Sequence, residues 1–276
     1  MSVNKTQLAV LIGTLGLIVL LLFADTSIPA KKEEKETVST GSAHGSIDFA
    51  ELILDAKKSL QPALQDSLAR LETQLNADDE KAAALQSIAA LYAEGKQHLA
   101  SAYYYELAAI ESPTEKNWVE AAYMYYKLAR FTPENNRSVI YNKAIEGFKK
   151  AVDINPNNLD AIMNLASCYV EGGSQPMMGI KLLQEVEKID SNNVKLQMSF
   201  AYFSMKSGQL DKAVKRLNKV LAIDSSFIDV YLHLADVYRQ KGETENEINS
   251  LEQYVALSDN EELKIEIQRD INKLKH

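Results

Sequence analysis

The feature that most constrains this chain is a short pattern that recurs along its length. An alanine, preceded by a hydrophobic or small residue, returns at intervals of 33, 44, 35 and 34 residues. In four of the five copies a tyrosine stands three positions later. The five alanines are Ala89, Ala122, Ala166, Ala201 and Ala235. A period near 34 residues is typical of stacked helix pairs, each of which buries its apolar face only against its neighbours.

The composition favours a helical fold and excludes several functions. Only 11 Gly and 6 Pro interrupt the 276 residues, which suits a chain made mostly of helices. The net charge of -8 argues against a nucleic-acid partner, because phosphate contacts need concentrated Lys and Arg. A single cysteine, Cys168, excludes an internal disulfide and a cysteine-based zinc cluster.

An uncharged run of 19 residues, from Thr6 to Ala24, predicts a transmembrane anchor. As a helix the run would be about 28 Å long, close to the ~30 Å of bilayer hydrocarbon. A cleaved signal peptide remains the alternative, although the small-x-small cleavage pattern is weak. Because the N-terminal arm is very short, we expect it to stay in the cytoplasm and the rest of the chain to be periplasmic or otherwise extracytoplasmic. Residues 25–46, rich in Lys, Glu, Ser and Thr, are predicted to be a flexible tether.

Helical patterns begin directly after this tether. Asp48 and Glu51 form a predicted N-capping pair, and Pro62 is suited to the first turn of a second helix. These two helices lack the recurring pattern, so residues 47–78 are predicted to be a lead-in. At the other end, residues 262–276 are predicted to be a capping helix that covers the last repeat with an apolar stripe. The stripe consists of Leu263, Ile267, Ile271 and Leu274.

Residues 82–261 are divided by the pattern into five predicted units, 82–115, 115–158, 159–193, 194–227 and 228–261. The stretch WVEAAYMYYKLA, residues 118–129, and the later AIEGFKKAVDINPNN, residues 144–158, resemble the tetratricopeptide repeat. This resemblance implies an all-α solenoid of helix-turn-helix repeats, here with lead-in helices, a capping helix and one preceding transmembrane helix. It also implies that a peptide or helix of a partner protein binds in the concave groove lined by the first helix of each repeat.

Two units depart from the family pattern. The second has about ten extra residues, Arg130–Val139, and the third carries a loop of Gly and Pro at residues 172–176. Long inserts of repeat arrays lie along one edge and often carry function, but a tolerated surface insertion explains them equally simply.

The resemblance assigns specific residues to the groove. They are Val119, Tyr123, Tyr126, Met163, Asn164, Met198, Tyr202, Met205, Leu232 and His233. Met and Tyr side chains predict an adaptable apolar surface, although some of them could instead pack between repeats. The Lys and Asn residues with which one class of these repeats binds a C-terminal carboxylate are replaced by Met163, Ser167, Met198 and Tyr202, so that mode of binding is not expected.

Catalytic and metal-binding patterns are absent from the sequence. The four histidines stand at no metal-ligand spacing, and no nucleotide-binding motif occurs. We therefore expect no enzymatic activity, no cofactor, no metal and no small-molecule substrate. The leading hypothesis is a membrane-tethered scaffold of the bacterial envelope that binds another protein. The alternative is an accessory assembly factor that resembles the tetratricopeptide modules of cytochrome c maturation.

Overall fold

The computed structural model describes residues 49–75, 80–173 and 175–275, which belong to one compact unit spanning residues 44–276. Every regular element in these ranges is an α-helix. The helices are α1 (Phe49–Ser59), α2 (Pro62–Gln74), α3 (Lys81–Glu94), α4 (His98–Glu111), α5 (Glu115–Ala129), α6 (Glu134–Ile154), α7 (Leu159–Glu171), α8 (Pro176–Ile189), α9 (Val194–Lys206), α10 (Leu210–Ile223), α11 (Val230–Lys241), α12 (Thr244–Leu257) and α13 (Glu261–Leu274). The predicted membrane span, the predicted tether and Asp48 lie outside the described residues. No helix within these ranges has both the length and the apolar character needed to cross a bilayer.

Consecutive helices pack as pairs, and each pair packs on the next. The pairs are α3–α4, α5–α6, α7–α8, α9–α10 and α11–α12. The prediction of an all-helical solenoid is therefore confirmed for the described part of the chain.

The recurring alanines lie where the two helices of a pair cross. All five are buried, as the pattern predicts. A Cβ atom added to Gly147 of α6 would lie 2.9 Å from the Cβ of Ala122, and one added to Gly179 of α8 would lie 2.4 Å from the carbonyl oxygen of Ala166. Atoms at these distances would overlap, so small residues are needed at these crossings.

Short polar side chains determine where several first helices begin. The side chains of Thr114, Asn158 and Asn193 accept hydrogen bonds from backbone N–H groups in the first turns of α5, α7 and α9. These bonds satisfy donors that a helix N-terminus otherwise leaves unpaired. At the opposite ends of two first helices, Gly208 and Gly242 adopt φ angles of +72° and +74°, which confirms their predicted left-handed turn role.

The contact between the third and fourth pairs is made by larger side chains. Leu196, Phe200 and Phe203 of α9 fill the space toward α7 and α8, and the backbones of α8 and α9 approach less closely than those at the other junctions between pairs. The guanidinium of Arg216 lies 4.2 Å from the centre of the Phe200 ring and bonds to Glu187 and Gln197. Arg216 of α10 thus joins α8 and α9 across this wider junction.

The extra residues of the second unit do not form the predicted loop. Helix α6 begins at Glu134 and runs for 21 residues, whereas α7, α9 and α10 have 13, 13 and 14. Residues 134–139 therefore lengthen a helix, and only residues 130–133 connect α5 to α6. The interpretation of residues 130–139 as an inserted loop was wrong because Pro133 directly precedes the helix, where proline is tolerated, and the following residues continue the helical pattern.

The two ends of the array are covered by additional helices. Phe49 of α1 stacks on Tyr103 of α4 with ring centres 6.0 Å apart, and Pro62 begins α2 as predicted. At the C-terminal end, Ile267 and Ile271 of α13 are buried against Leu251 and Tyr254 of α12. The apolar stripe of the last helix therefore packs against the last pair.

Candidate partner-binding cleft

A cleft of about 430 Å³ opens where α5, α7 and α9 lie side by side, and His233 of α11 completes one end. These are the first helices of four consecutive pairs. The cleft therefore lies on the face where the family resemblance places partner binding. Its two sides differ in chemistry.

One side of the cleft, the polar side, is organised around Glu171 at the C-terminal end of α7. The Tyr126 hydroxyl donates a hydrogen bond to Oε1 of Glu171 at 2.9 Å, and the Tyr141 hydroxyl donates to Oε2 at 3.1 Å. The Glu171 side chain is only 9% exposed. Arg130 Nε is 3.9 Å from Oε2, too far for a hydrogen bond, and its side chain is 54% exposed. The carboxylate thus joins α5, α6 and α7 through two tyrosines.

The two tyrosines remain protonated well beyond the ordinary range. Burial, followed by the neighbouring Glu171 charge, raises the pKa of Tyr126. The same two causes raise the pKa of Tyr141. Both hydroxyls therefore act as hydrogen-bond donors at neutral pH, and neither is a candidate base.

The other side of the cleft, the apolar side, is formed by α9. Tyr202 is 45% exposed, and its ring contacts the edge of the Phe203 ring at a centre-to-centre distance of 5.4 Å. Met198 and Met205 are half-buried and pack against a core cluster that contains Ala201 and Leu217. These three side chains present aromatic and thioether surface to the cleft.

Small residues of α7 separate the two sides. Ser167 lines the cleft, and its hydroxyl donates to the backbone oxygen of Met163 at 3.0 Å. At the rim, Lys195 Nζ lies 2.7 Å from Asp160 Oδ1 in an exposed ion pair. The cleft therefore has a narrow polar floor between a tyrosine-lined side and a methionine-lined side.

Five of the ten predicted groove residues line this cleft. They are Tyr126, Met198, Tyr202, Met205 and His233. Tyr123 is exposed on the same helix as Tyr126, with ring centres 6.5 Å apart, but does not line the cleft. Val119, Asn164 and Leu232 are half-buried outside it.

Met163 requires a correction. It was predicted to lie in the groove, but it is only 1% exposed and packs in the core with Leu183, Val186 and Leu196. Its position on α7 points into the space between α7, α8 and α9. Here the alternative of packing between repeats applies, and Met163 offers no surface to a partner.

Sequence reasoning missed Glu171, Arg130, Lys195 and Ser199, which also line the cleft. One signal could have identified Glu171. A carboxylate in the last turn of a helix is disfavoured by the negative end of the helix dipole. A glutamate at that position, followed by Gly172, therefore indicates that another interaction compensates for the cost.

No cluster of metal-binding side chains occurs in the described ranges. Cys168 is buried, and burial raises the pKa of its thiol. The structure therefore presents this thiol as a core residue, not as an accessible nucleophile.

Comparisons with known proteins identify the repeat. A family model described as a TPR repeat matches residues 204–242, and one described as a tetratricopeptide repeat matches residues 228–261. A comparison with curated protein sequences found no significant match.

Two solved structures share the fold of this chain. A tetratricopeptide repeat protein from Parabacteroides merdae is 14% identical, with a TM-score of 0.59 over 82% of this chain and 86% of that chain. PilW, described as a widely conserved type IV pilus biogenesis factor, is 18% identical, with a TM-score of 0.53 over 70% of this chain and 85% of that chain. The described residues thus form an all-helical solenoid of the tetratricopeptide type, and residues 204–261 carry tetratricopeptide repeats.

Proposed function

We propose that this chain is a non-enzymatic scaffold that binds a peptide or helix of another protein in the cleft between α5, α7 and α9. The observation that carries the proposal is the apolar side of the cleft. There Tyr202 is nearly half exposed, and Met198 and Met205 face the same concavity. Exposed aromatic and thioether groups in a concave site gain most from contact with apolar side chains of a partner.

The volume of the cleft does not separate a protein partner from a small molecule, because about 430 Å³ falls within the range of small-molecule sites. The ionisable groups favour the protein partner. Glu171 is bound by two tyrosines, and Lys195 is bound by Asp160. With these charges engaged inside the protein, apolar contact is the main interaction that the cleft offers.

We further propose that residues 6–24 anchor the chain in a membrane with the repeats on the extracytoplasmic side. The uncharged run and the short N-terminal arm support this arrangement. The test is a carbonate wash of membranes followed by added protease. Full-length chain that resists extraction and is digested from the outside is expected, whereas intact chain in the soluble fraction contradicts the anchor.

The binding proposal is tested by site-specific photocrosslinking. A photoreactive residue in place of Tyr202 should capture a partner, while the same residue in place of Lys215, an exposed residue of α10, should not. The identity of the captured protein also distinguishes a general scaffold from an assembly factor. Equal capture at both positions would place the partner elsewhere.

The affinity for the captured partner gives the second measurement. Replacing Met198 and Tyr202 together by Ala should weaken binding at least tenfold, about 1.4 kcal/mol. Binding should change little with salt, because apolar contact is screened far less than charge pairing. An unaffected double variant, with binding lost above roughly 0.3 M salt, would move the site to the basic residues around the α5–α6 connection.

A further inference from the structure

Two neighbouring turns carry large apolar side chains that the fold does not use. Phe131, in the connection between α5 and α6, is 87% exposed, and Met177, in the first turn of α8, is 76% exposed. Met178 beside it is also exposed. We call these three residues the apolar edge. The corresponding turns of the other pairs hold Gly, Lys and Gln at residues 95–97, Ser, Gly and Gln at 207–209, and Gly and Glu at 242–243.

The two turns are close to each other and well braced. Arg130 Nε lies 3.9 Å from Glu171, and a Cβ atom added to Gly172 would lie 3.0 Å from the Cβ of Tyr141. Arg137 Nε donates to the backbone oxygen of Thr132 at 3.1 Å. The connection before α6 is thus held by the helix that follows it, so Phe131 extends from a fixed turn.

The surroundings of the apolar edge are basic, although the whole chain is acidic. Residues 127–139 and 171–181 contain four cations and two carboxylates, a net charge of +2, whereas the chain carries -8. The cations are Lys127, Arg130, Arg137 and Lys181, and the carboxylates are Glu134 and Glu171. Because both oxygens of Glu171 accept bonds from tyrosines, Glu134 is the carboxylate in these two segments that faces solvent.

We propose that the apolar edge docks on an anionic lipid surface, with Phe131 and Met177 entering the boundary between headgroups and acyl chains. Exposed apolar side chains flanked by Lys and Arg combine the two interactions that hold peripheral segments at membranes, apolar burial and attraction to lipid phosphates. This surface is separate from the apolar side of the cleft. The predicted span of residues 6–24 would place the chain at a bilayer, but the contact stands on the edge itself.

The test uses single cysteines labelled with an environment-sensitive dye in the full chain. Phe131→Cys reports on the apolar edge, and Ser207→Cys, in the turn between α9 and α10, is the matched control. Burial of Cys168 keeps the native thiol from competing for the label, and the unsubstituted chain measures that background. Both variants are studied with vesicles of phosphatidylglycerol mixed with phosphatidylcholine and with vesicles of phosphatidylcholine alone.

The label at residue 131 should emit at shorter wavelength with anionic vesicles, and brominated acyl chains should quench it at least about twofold more than the label at residue 207. Equal quenching at the two positions, or no response to either vesicle, would overturn the proposal. In the second case, a response only to added protein would assign the edge to a protein partner.

Two further variants separate the contributions. Lys127→Gln together with Lys181→Gln should lower the response in anionic vesicles toward its level in phosphatidylcholine, because the attraction depends on these charges. Met198→Ala with Tyr202→Ala should leave the lipid response unchanged. A lipid response that disappears with the cleft variant, or that is unaffected by the lysine variant, would contradict the proposal.

Discussion

The two sides of the cleft show how the same array uses similar side chains for different ends. On the polar side, Tyr126 and Tyr141 donate to the nearly buried carboxylate of Glu171, so their polar groups are consumed by the fold. On the apolar side, Tyr202 lies nearly half exposed on α9, and the fold is held beneath it by the buried Ala201. Tyrosine at a groove position is therefore not by itself evidence for binding. What matters is whether its neighbours already satisfy it.

This comparison predicts that substitutions on the polar side mainly change stability, whereas substitutions of exposed groups on the apolar side mainly change binding. Four variants test the stability half of that statement.

The largest expected effect comes from Glu171→Leu. Leucine has a similar volume but cannot accept the two tyrosine hydroxyls, and an unsatisfied buried donor costs about 1 to 3 kcal/mol. Since both hydroxyls are only partly buried, we expect a loss of about 2 to 4 kcal/mol in the free energy of unfolding, measured by urea denaturation. Glu185→Leu, at an exposed position paired only with Lys188, is the matched control and should change it by less than about 0.5 kcal/mol. Similar losses in the two variants would show that Glu171 does not hold α5, α6 and α7 together.

Ala201→Leu should have the next largest effect, because it overfills the crossing of α9 and α10 beneath the apolar side. Overpacking typically costs about 1 to 3 kcal/mol. Lys206→Gln, at an exposed position of the same helix, should change stability by less than about 0.5 kcal/mol. Equal melting temperatures for these variants would mean that Ala201 does not limit the approach of the two helices.

Tyr126→Phe should cost about 1 kcal/mol at neutral pH, the value of one hydrogen bond. Tyr202→Phe is the matched control on the apolar side and should cost less than about 0.5 kcal/mol. The two variants are compared by thermal and urea unfolding. A larger loss for Tyr202→Phe would reverse the assignment of the two sides.

The same variant predicts a difference in alkaline stability. Burial and Glu171 raise the pKa of Tyr126 above that of an unfolded tyrosine, about 10. Above that pH the unfolded chain releases a proton that the folded chain keeps, so stability falls as pH rises. Tyr126→Phe removes this group and should reduce the fall by up to about 1.4 kcal/mol per pH unit. An unchanged alkaline slope would show that the hydroxyl is not held protonated by the fold.

Arg130→Gln should have the smallest effect. The side chain is half exposed and its Nε is 3.9 Å from Glu171, so the pair contributes less than about 0.5 kcal/mol. Partner affinity should likewise change by less than about threefold if apolar contact dominates. A large loss of affinity with unchanged stability would show that the partner places an anionic group beside Arg130.

Much of the architecture follows from local patterns. The buried alanines, the left-handed Gly208 and Gly242 and the apolar stripe of the last helix all depend on neighbours one or two turns away, which a sequence displays directly. The extra residues of the second unit were harder to interpret. Their excess length was visible, but whether they looped out or extended α6 depended on how α6 packs beyond the usual repeat.

By itself, then, the sequence determined the helical class, the period of the array and which face of each repeat carries aromatic and thioether groups. Only the tertiary structure decided which of those groups are available. Tyr126 and Tyr141 reach Glu171 over separations of 45 and 30 residues, and Met163 meets Leu183 and Leu196 from the neighbouring helices. Such contacts depend on how pairs stack in space, because a helix pattern specifies which residues share a face but not which partner meets each of them.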